Sequence, residues 1–168
     1  MRSTMMDTPL QVSRLLEHGR NVHGSSEVVT WTADGPRRTT YQEVAADAAR
    51  LAHALRDLGV VGDQRIGTLM WNNAEHLVAY LAVPSMGAVL HTLNLRLFPE
   101  QLIYIANHAE DQVIIVDSTL IPLLAGVLPH LTSLRHIVVC GGGDLAPLEA
   151  AGGGRVALHR WEIGRAHV

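Results

Sequence analysis

Apolar positions recur along this chain in two rhythms. Val44, Ala48, Leu51, Ala52, Leu55 and Leu58 repeat at three- and four-residue intervals and so share one face of a helix, while Asp47, Arg50, Arg56 and Asp57 fall off that line. Thr40 and Glu43 ahead of this run fit a capping box, in which the threonine oxygen takes an orphan N–H and the glutamate reaches back. Gly59 suits a left-handed stop. The second rhythm is a set of short apolar runs, residues 64–70, 88–92, 112–117 and 136–139, separated by helical spacers. Runs of that length predict strands buried on both faces of a parallel sheet.

The stretch 71–117 organises the rest. A helical run begins at Ala74, capped by Asn72 or Asn73, passes Leu77, Val78, Leu81 and Ala82, meets Pro84 and stops at Gly87. An extended segment follows, then a second helix at Pro99, whose missing N–H suits a first turn. Residues 112–117 close the unit. Helix, strand, helix, strand is the repeating piece of an α/β sheet. Upstream, Leu10, Val12, Leu15, Leu16 and Val22 predict a short helix starting near Thr8 and Pro9. Glu27–Thr32 and residues 37–39, joined by the Asp34-Gly35 turn, read as a β-hairpin. Downstream, Ser118 or Thr119 starts a short helix broken by Pro122 and again near Pro129. Residues 135–140 form a strand, and 156–158 one more. The predicted fold class is therefore α/β: a mostly parallel sheet flanked by helices and preceded by a short hairpin.

Composition narrows the function. The 168 residues are the size of one domain, and 48% apolar with 17% charged residues argues against disorder. A net charge of −3 leaves no basic footprint for nucleic acid. The single cysteine, Cys140, rules out an internal disulfide framework and fits a reducing cytoplasm. The first residues lack the pattern of a signal peptide. The most membrane-like window, 77–93, holds Pro84, Ser85, Gly87 and His91 and falls short of a span. All thirteen basic residues are arginine, so a phosphate loop or Schiff base that needs lysine has none to use.

Candidate sites are few. Gly141-x-Gly143-x-x-Ala146 follows a strand and nominally matches a dinucleotide fingerprint, but Gly152 to Gly154 would end any helix after about one turn, so a surface loop is the better reading. The ten histidines, His76 and His108 among them, show no metal-ligand spacing, and Cys140 has no partner cysteine. They read as solvent or packing residues. Ser25, Ser85 and Ser133 lack a nucleophile elbow. His91 and Asn94, expected where ligands gather at the carboxyl end of a strand, either border an acyl or coenzyme A cleft or fix their loop by bonding to backbone; the second is favoured. Trp71 and Tyr104 read as core or domain-interface aromatics, and Arg96 as a partner for Glu100 across an exposed pair.

Three stretches carry a family resemblance. Residues 84–97, from Pro84-Ser85-Met86-Gly87 through His91, Asn94, Leu95 and Leu97, then 103–108 with Tyr104, Asn107 and His108, are similar to the N-terminal region of adenylate-forming acyl-CoA synthetases, with a close fit to the fatty-acyl-CoA ligase branch. Ser3-Thr4-Met5-Met6-Asp7 and Arg38-Thr39-Thr40-Tyr41 also resemble that branch. Leu95 stands where the family often has proline.

The resemblance covers roughly residues 3–139. It implies the first subdomain of an enzyme that joins a carboxylate to ATP and passes the acyl group to coenzyme A, with magnesium on the phosphates and a medium- or long-chain fatty acid as substrate. Relatives acting on aryl or amino acids, or a non-catalytic binding or dimerisation module, are the alternatives, and a homodimer is possible. The resemblance also implies a Ser/Thr/Gly-rich ATP loop ending in Pro-Lys-Gly, a tyrosine–glycine–threonine–glutamate motif, a ribose-binding aspartate and a mobile C-terminal domain, none of which occurs in these 168 residues. No catalytic, cofactor-binding or metal-binding residue is therefore expected here, and the polypeptide alone is expected to be inactive. Residues 1–161 read as the N-terminal portion of such a domain. Residues 162–168, Glu-Ile-Gly-Arg-Ala-His-Val, resemble translated read-through of a sequencing adaptor and are expected to be non-native.

Overall fold

A computed structural model describes residues 9–161. The sequence motif at Ser3 to Asp7, the helix start at Thr8 and the tail 162–168 lie outside the described residues. The elements run α1 (Val12–Val22), β1 (Glu27–Thr32), β2 (Gly35–Thr40), α2 (Tyr41–Asp57), β3 (Arg65–Leu69), α3 (Ala74–Ser85), β4 (Val89–Thr92), α4 (Pro99–His108), β5 (Val113–Asp117), α5 (Ile121–Val127), β6 (His136–Cys140), α6 (Ala146–Gly152) and β7 (Ala157–Arg160). Strands β1 and β2 form the antiparallel hairpin. The other five make one parallel sheet in the order β4-β3-β5-β6-β7.

Strand alternation divides the core into two layers. Ile114, Val116, Ile137 and Val139 point to one face and pack with Leu102 and Ala106 of α4, Ile121, Leu124 and Val127 of α5 and Leu148 of α6. Ile66, Val113, Ile115 and Val138 point to the other, against Val44, Ala48, Leu51 and Leu55 of α2 and Val78, Ala79, Ala82 and Val83 of α3. Every residue of β5 is buried, because this strand has a neighbour on each side and helices over both faces.

The predicted runs at 64–70, 112–117 and 136–139 are strands in parallel register, as expected. The run at 88–92 is also a strand, but it is not buried on both faces. It forms the sheet's edge beside β3 only, and Val89 is 43% exposed. The last strand sits one residue later than predicted and extends to Arg160. In β2 the strand begins at Gly35 itself, whose positive φ of 109° supplies the turn. Pro122 does not break its helix; it lies in the first turn of α5, where no N–H is needed, and Pro129 then sits in a 3-10 turn that ends it. Pro84 lies next to the last residue of α3, so it marks an end rather than a kink. The apolar residues of the first helix do not all face inward: Leu16 packs on the core while Leu10, Leu15 and Val22 are exposed.

The capping box forms as expected. Thr40 Oγ1 accepts from the Glu43 N–H at 3.3 Å, and the Glu43 carboxylate accepts from the Thr40 N–H at 2.7 Å. Thr40→Ala should lower unfolding free energy by about 1 kcal/mol, read as a fall in the urea midpoint at unchanged m. An unchanged midpoint would mean that α2 is held by packing alone.

Candidate functional site

Chain order and strand order diverge at one place. The connection through α3 carries the chain from β3 outward to β4, and the connection through α4 brings it back to the far side of β3 as β5. The carboxyl ends of β3 and β5 therefore flank the point where the sheet reverses direction, which is where open α/β sheets bind ligands. The residues there are Trp71 to Asn73 after β3 and Asp117 to Thr119 at the end of β5.

They meet in one polar cluster. The Asp117 carboxylate, 8% exposed, accepts from the Trp71 backbone N–H at 2.6 Å and from the Asn73 side-chain amide at 3.1 Å to each oxygen. The other end of that amide caps α3, accepting from the His76 N–H at 2.8 Å. Thr30 of the hairpin accepts from the Ala74 N–H at 3.0 Å, which ties the hairpin to the same helix start. His76 lies 3.2 Å from the Trp71 carbonyl through Nδ1 and 3.0 Å from Thr68 Oγ1 through Nε2. A carbonyl only accepts, so Nδ1 carries the proton and the Thr68 hydroxyl donates to Nε2. The Trp71 indole N–H reaches Thr119 Oγ1 at 3.0 Å, and Trp71 as a whole is 53% exposed.

Electrostatics follow from burial. Desolvation pushes the Asp117 carboxyl above the usual carboxylate range, opposed by the Trp71 and Asn73 donors. The same effect lowers His76, opposed by the Trp71 carbonyl and the Asp117 charge. The unfolded chain therefore binds more protons at His76 than the folded one, and the stability due to its neutral form is complete above the ordinary histidine pKa of about 6.5 and declines as pH falls below it. Urea midpoints measured between pH 7.5 and 5.5 should fall less steeply in His76→Asn than in the unsubstituted chain. Parallel curves would show that His76 does not titrate differently on folding.

Chemically, the cluster is occupied. Both Asp117 oxygens accept from protein donors, which ties the carboxylate to the backbone and side chain of the neighbouring loop. It fixes the two loops that edge the crevice and leaves Trp71, Asn72 and Thr119 facing outward. The neighbouring glycine loop does not fit a nucleotide phosphate. The Arg160 guanidinium binds the Gly141 and Gly143 carbonyls, at 3.3 and 2.7 Å, and α6 beyond it has only seven residues. The surface-loop reading of Gly141, Gly143 and Ala146 therefore describes what is seen.

The other candidate residues separate. Asn94 Oδ1 accepts from the Arg96 N–H at 3.0 Å, the local loop-fixing role expected of it. His91 does not bond backbone. Its Nδ1 is 2.9 Å from the buried Asp111 carboxylate, at the amino end of β5 and away from the crevice. Burial pushes Asp111 up to about 6, against the lowering influence of His91 and Arg65. Trp71 and Tyr104 are exposed rather than core, because neither projects between the sheet and a helix; Tyr104 stacks on His108. The salt bridges among the described residues are Arg37–Glu75, Arg38–Glu27, Arg50–Asp47 and His91–Asp111, so Arg96 does not pair with Glu100. Arg50 and Asp47, placed off the helix's apolar line by the sequence, meet there as a partly buried pair. Cys140 is buried, and burial raises its thiol far above the reactive range. Ser133 donates to the Asp111 carbonyl at 3.1 Å.

Asp111, Asp117 and Thr30 were not singled out by sequence. Asp117 did leave a signal, an acidic residue directly ending an all-apolar strand.

Comparison with known proteins gives consistent findings. The model of the AMP-binding enzyme family matches residues 16–157. A 3-methylmercaptopropionyl-CoA ligase of Ruegeria lacuscaerulensis is 46% identical over 142 residues, 84% of this chain and 26% of the relative. A long-chain-fatty-acid–CoA ligase of Thermus thermophilus is 47% identical over 138 residues, 82% and 26%. The crystal structure of an anthranilate CoA ligase in complex with anthranoyl-AMP superposes with a TM-score of 0.72 at 29% identity, covering 82% of this chain and 26% of that one. The chain thus spans about a quarter of the length of the relatives it matches.

Proposed function

The chain belongs to the AMP-binding enzyme family, and on that premise we propose that it is the N-terminal scaffold of an acyl-CoA ligase whose complete form activates a fatty acid. In that reaction a carboxylate, a poor electrophile, is joined to AMP from ATP with release of pyrophosphate, and coenzyme A then displaces AMP. Magnesium neutralises the phosphates of ATP. The substrate class proposed is a medium- or long-chain fatty acid, supported by the 47% identity to the Thermus long-chain ligase. A short thioether acid is the second reading, supported by the similar identity to the Ruegeria ligase. No helix among the described residues is long and apolar enough to cross a membrane; the cytoplasm is the proposed location, and residues 162–168 are proposed to be non-native.

One observation carries the division of labour: the carboxylate at the switch point is spent on holding loops, so this segment shapes a crevice rather than reacting in it. With no lysine for an ATP loop in these 168 residues, the polypeptide by itself is proposed neither to adenylate nor to form thioesters. Purified and given ATP, magnesium, coenzyme A and either dodecanoate or 3-methylmercaptopropionate, it should release no pyrophosphate above a heat-treated control. Turnover-dependent release with either acid would overturn this assignment.

A further inference from the structure

His136 and His159 are 23 positions apart in sequence and adjacent in space. Strand register places Val138 opposite His159 and His136 opposite Ala157, so the two histidines are diagonal neighbours on one face of β6 and β7. His136 Nδ1 lies 3.2 Å from His159 Nε2, with ring centroids 5.3 Å apart. We propose that this pair is a two-point chelate for a borderline divalent cation such as Zn²⁺, which clips the edge strand β7 to β6.

The separation suits this role. Two imidazole nitrogens bound to one zinc at their usual 2.0–2.1 Å, at the tetrahedral angle, stand about 3.4 Å apart. The present spacing is within a few tenths of an ångström of that bite. The nitrogens now face one another across a shared proton; chelation requires each ring to pivot on its side-chain torsions and the donor ring to take its other neutral tautomer. Both rings are partly exposed, which gives them room to turn and lets water reach the ion. Burial lowers the pKa of both, aided at His136 by His159 and Arg135, so both are neutral and able to coordinate near pH 7. No cluster of three or more His, Cys, Asp or Glu ligands occurs among the described residues, so water completes the shell. A neutral nitrogen pair with open positions suits Zn²⁺, Ni²⁺ or Cu²⁺ rather than the oxygen-seeking Mg²⁺ or Ca²⁺. Backbone pairing on parallel strands holds the two anchor points in place before the ion arrives.

The test uses the 168-residue chain stripped with EDTA and then titrated with ZnCl₂. The melting temperature should rise by about 3 °C or more at saturation. The rise should vanish in His136→Gln and in His159→Gln singly, since a chelate needs both arms, and survive in His53→Gln and His167→Gln. Melting of each variant in EDTA checks that it folds. Should either substituted chain fail to fold, imidazole nitrogen spectra of the unsubstituted chain decide: Zn²⁺ should shift His136 Nδ1 and His159 Nε2 together. A rise that persists in either single variant, no rise at all, or ring resonances unmoved by Zn²⁺ would overturn the proposal.

Discussion

Gly67→Val should abolish the native fold, and Gly67→Ala should weaken it by about 1–3 kcal/mol, the usual range for overpacking a close-packed core. Gly67 lies in the middle of β3, where a glycine weakens a strand unless something approaches closely. Here something does. A Cβ at this position would meet Ile114 Cγ1 at 3.0 Å, Asp111 Oδ2 at 3.2 Å and Leu93 Cδ1 at 3.3 Å. Strand register puts Gly67 directly between His91 on one side and Ile114 on the other. The missing side chain is what lets the Asp111 carboxylate reach across to His91. Valine adds two further methyl groups to a space that already excludes one, so its effect should exceed the alanine's, and urea unfolding should show no cooperative native baseline. A Gly67→Val chain melting within 2 °C of the original would show that this gap is not filled as described.

Asp117→Ala is the second large effect, expected at about 2–3 kcal/mol. Its removal strands the Trp71 N–H and one side of Asn73, and an unsatisfied buried donor costs about 1–3 kcal/mol. The comparison with Asp117→Asn separates bonding from charge. Asparagine keeps one acceptor oxygen and removes a carboxylate that burial already disfavours in its ionised form. It should therefore lose less than alanine, by about half. Denaturant unfolding at pH 7 measures both. If the two variants lose the same amount, the charge rather than the bonds is what matters at the switch point.

How much of this was legible beforehand follows from which forces act locally. The strands at β5 and β6 announce themselves as β-branched runs, because burial on both faces leaves no polar position to confuse the pattern. The capping box at Thr40 and the proline at the start of α4 are equally local and appear where expected. Edge position is different. Nothing in Val89-Leu90-His91-Thr92 says that β4 has one neighbour, since strand order is set by crossovers rather than by the strand's own residues. Pro122 is ambiguous for a related reason: a proline breaks a helix interior but opens a first turn, and only the structure fixes where α5 starts. The polar cluster was the least legible part. Thr30, Asn73 and Asp117 are brought together over more than forty positions, and the His136–His159 contact over 23. Spacing rules detect ligands on one helix or loop, and they are blind to neighbours across a parallel sheet.

Residues 16–157 are proposed to be a working scaffold of an acyl-CoA ligase. The most direct test is to graft them into the Thermus long-chain ligase in place of the matching stretch and to follow acyl-CoA formation from ATP, coenzyme A and a long-chain fatty acid. A folded chimaera that forms the thioester, and that loses activity when Asp117→Ala is added, is the predicted result. A chimaera that melts cooperatively near the parent enzyme's temperature yet forms neither pyrophosphate nor thioester would contradict it.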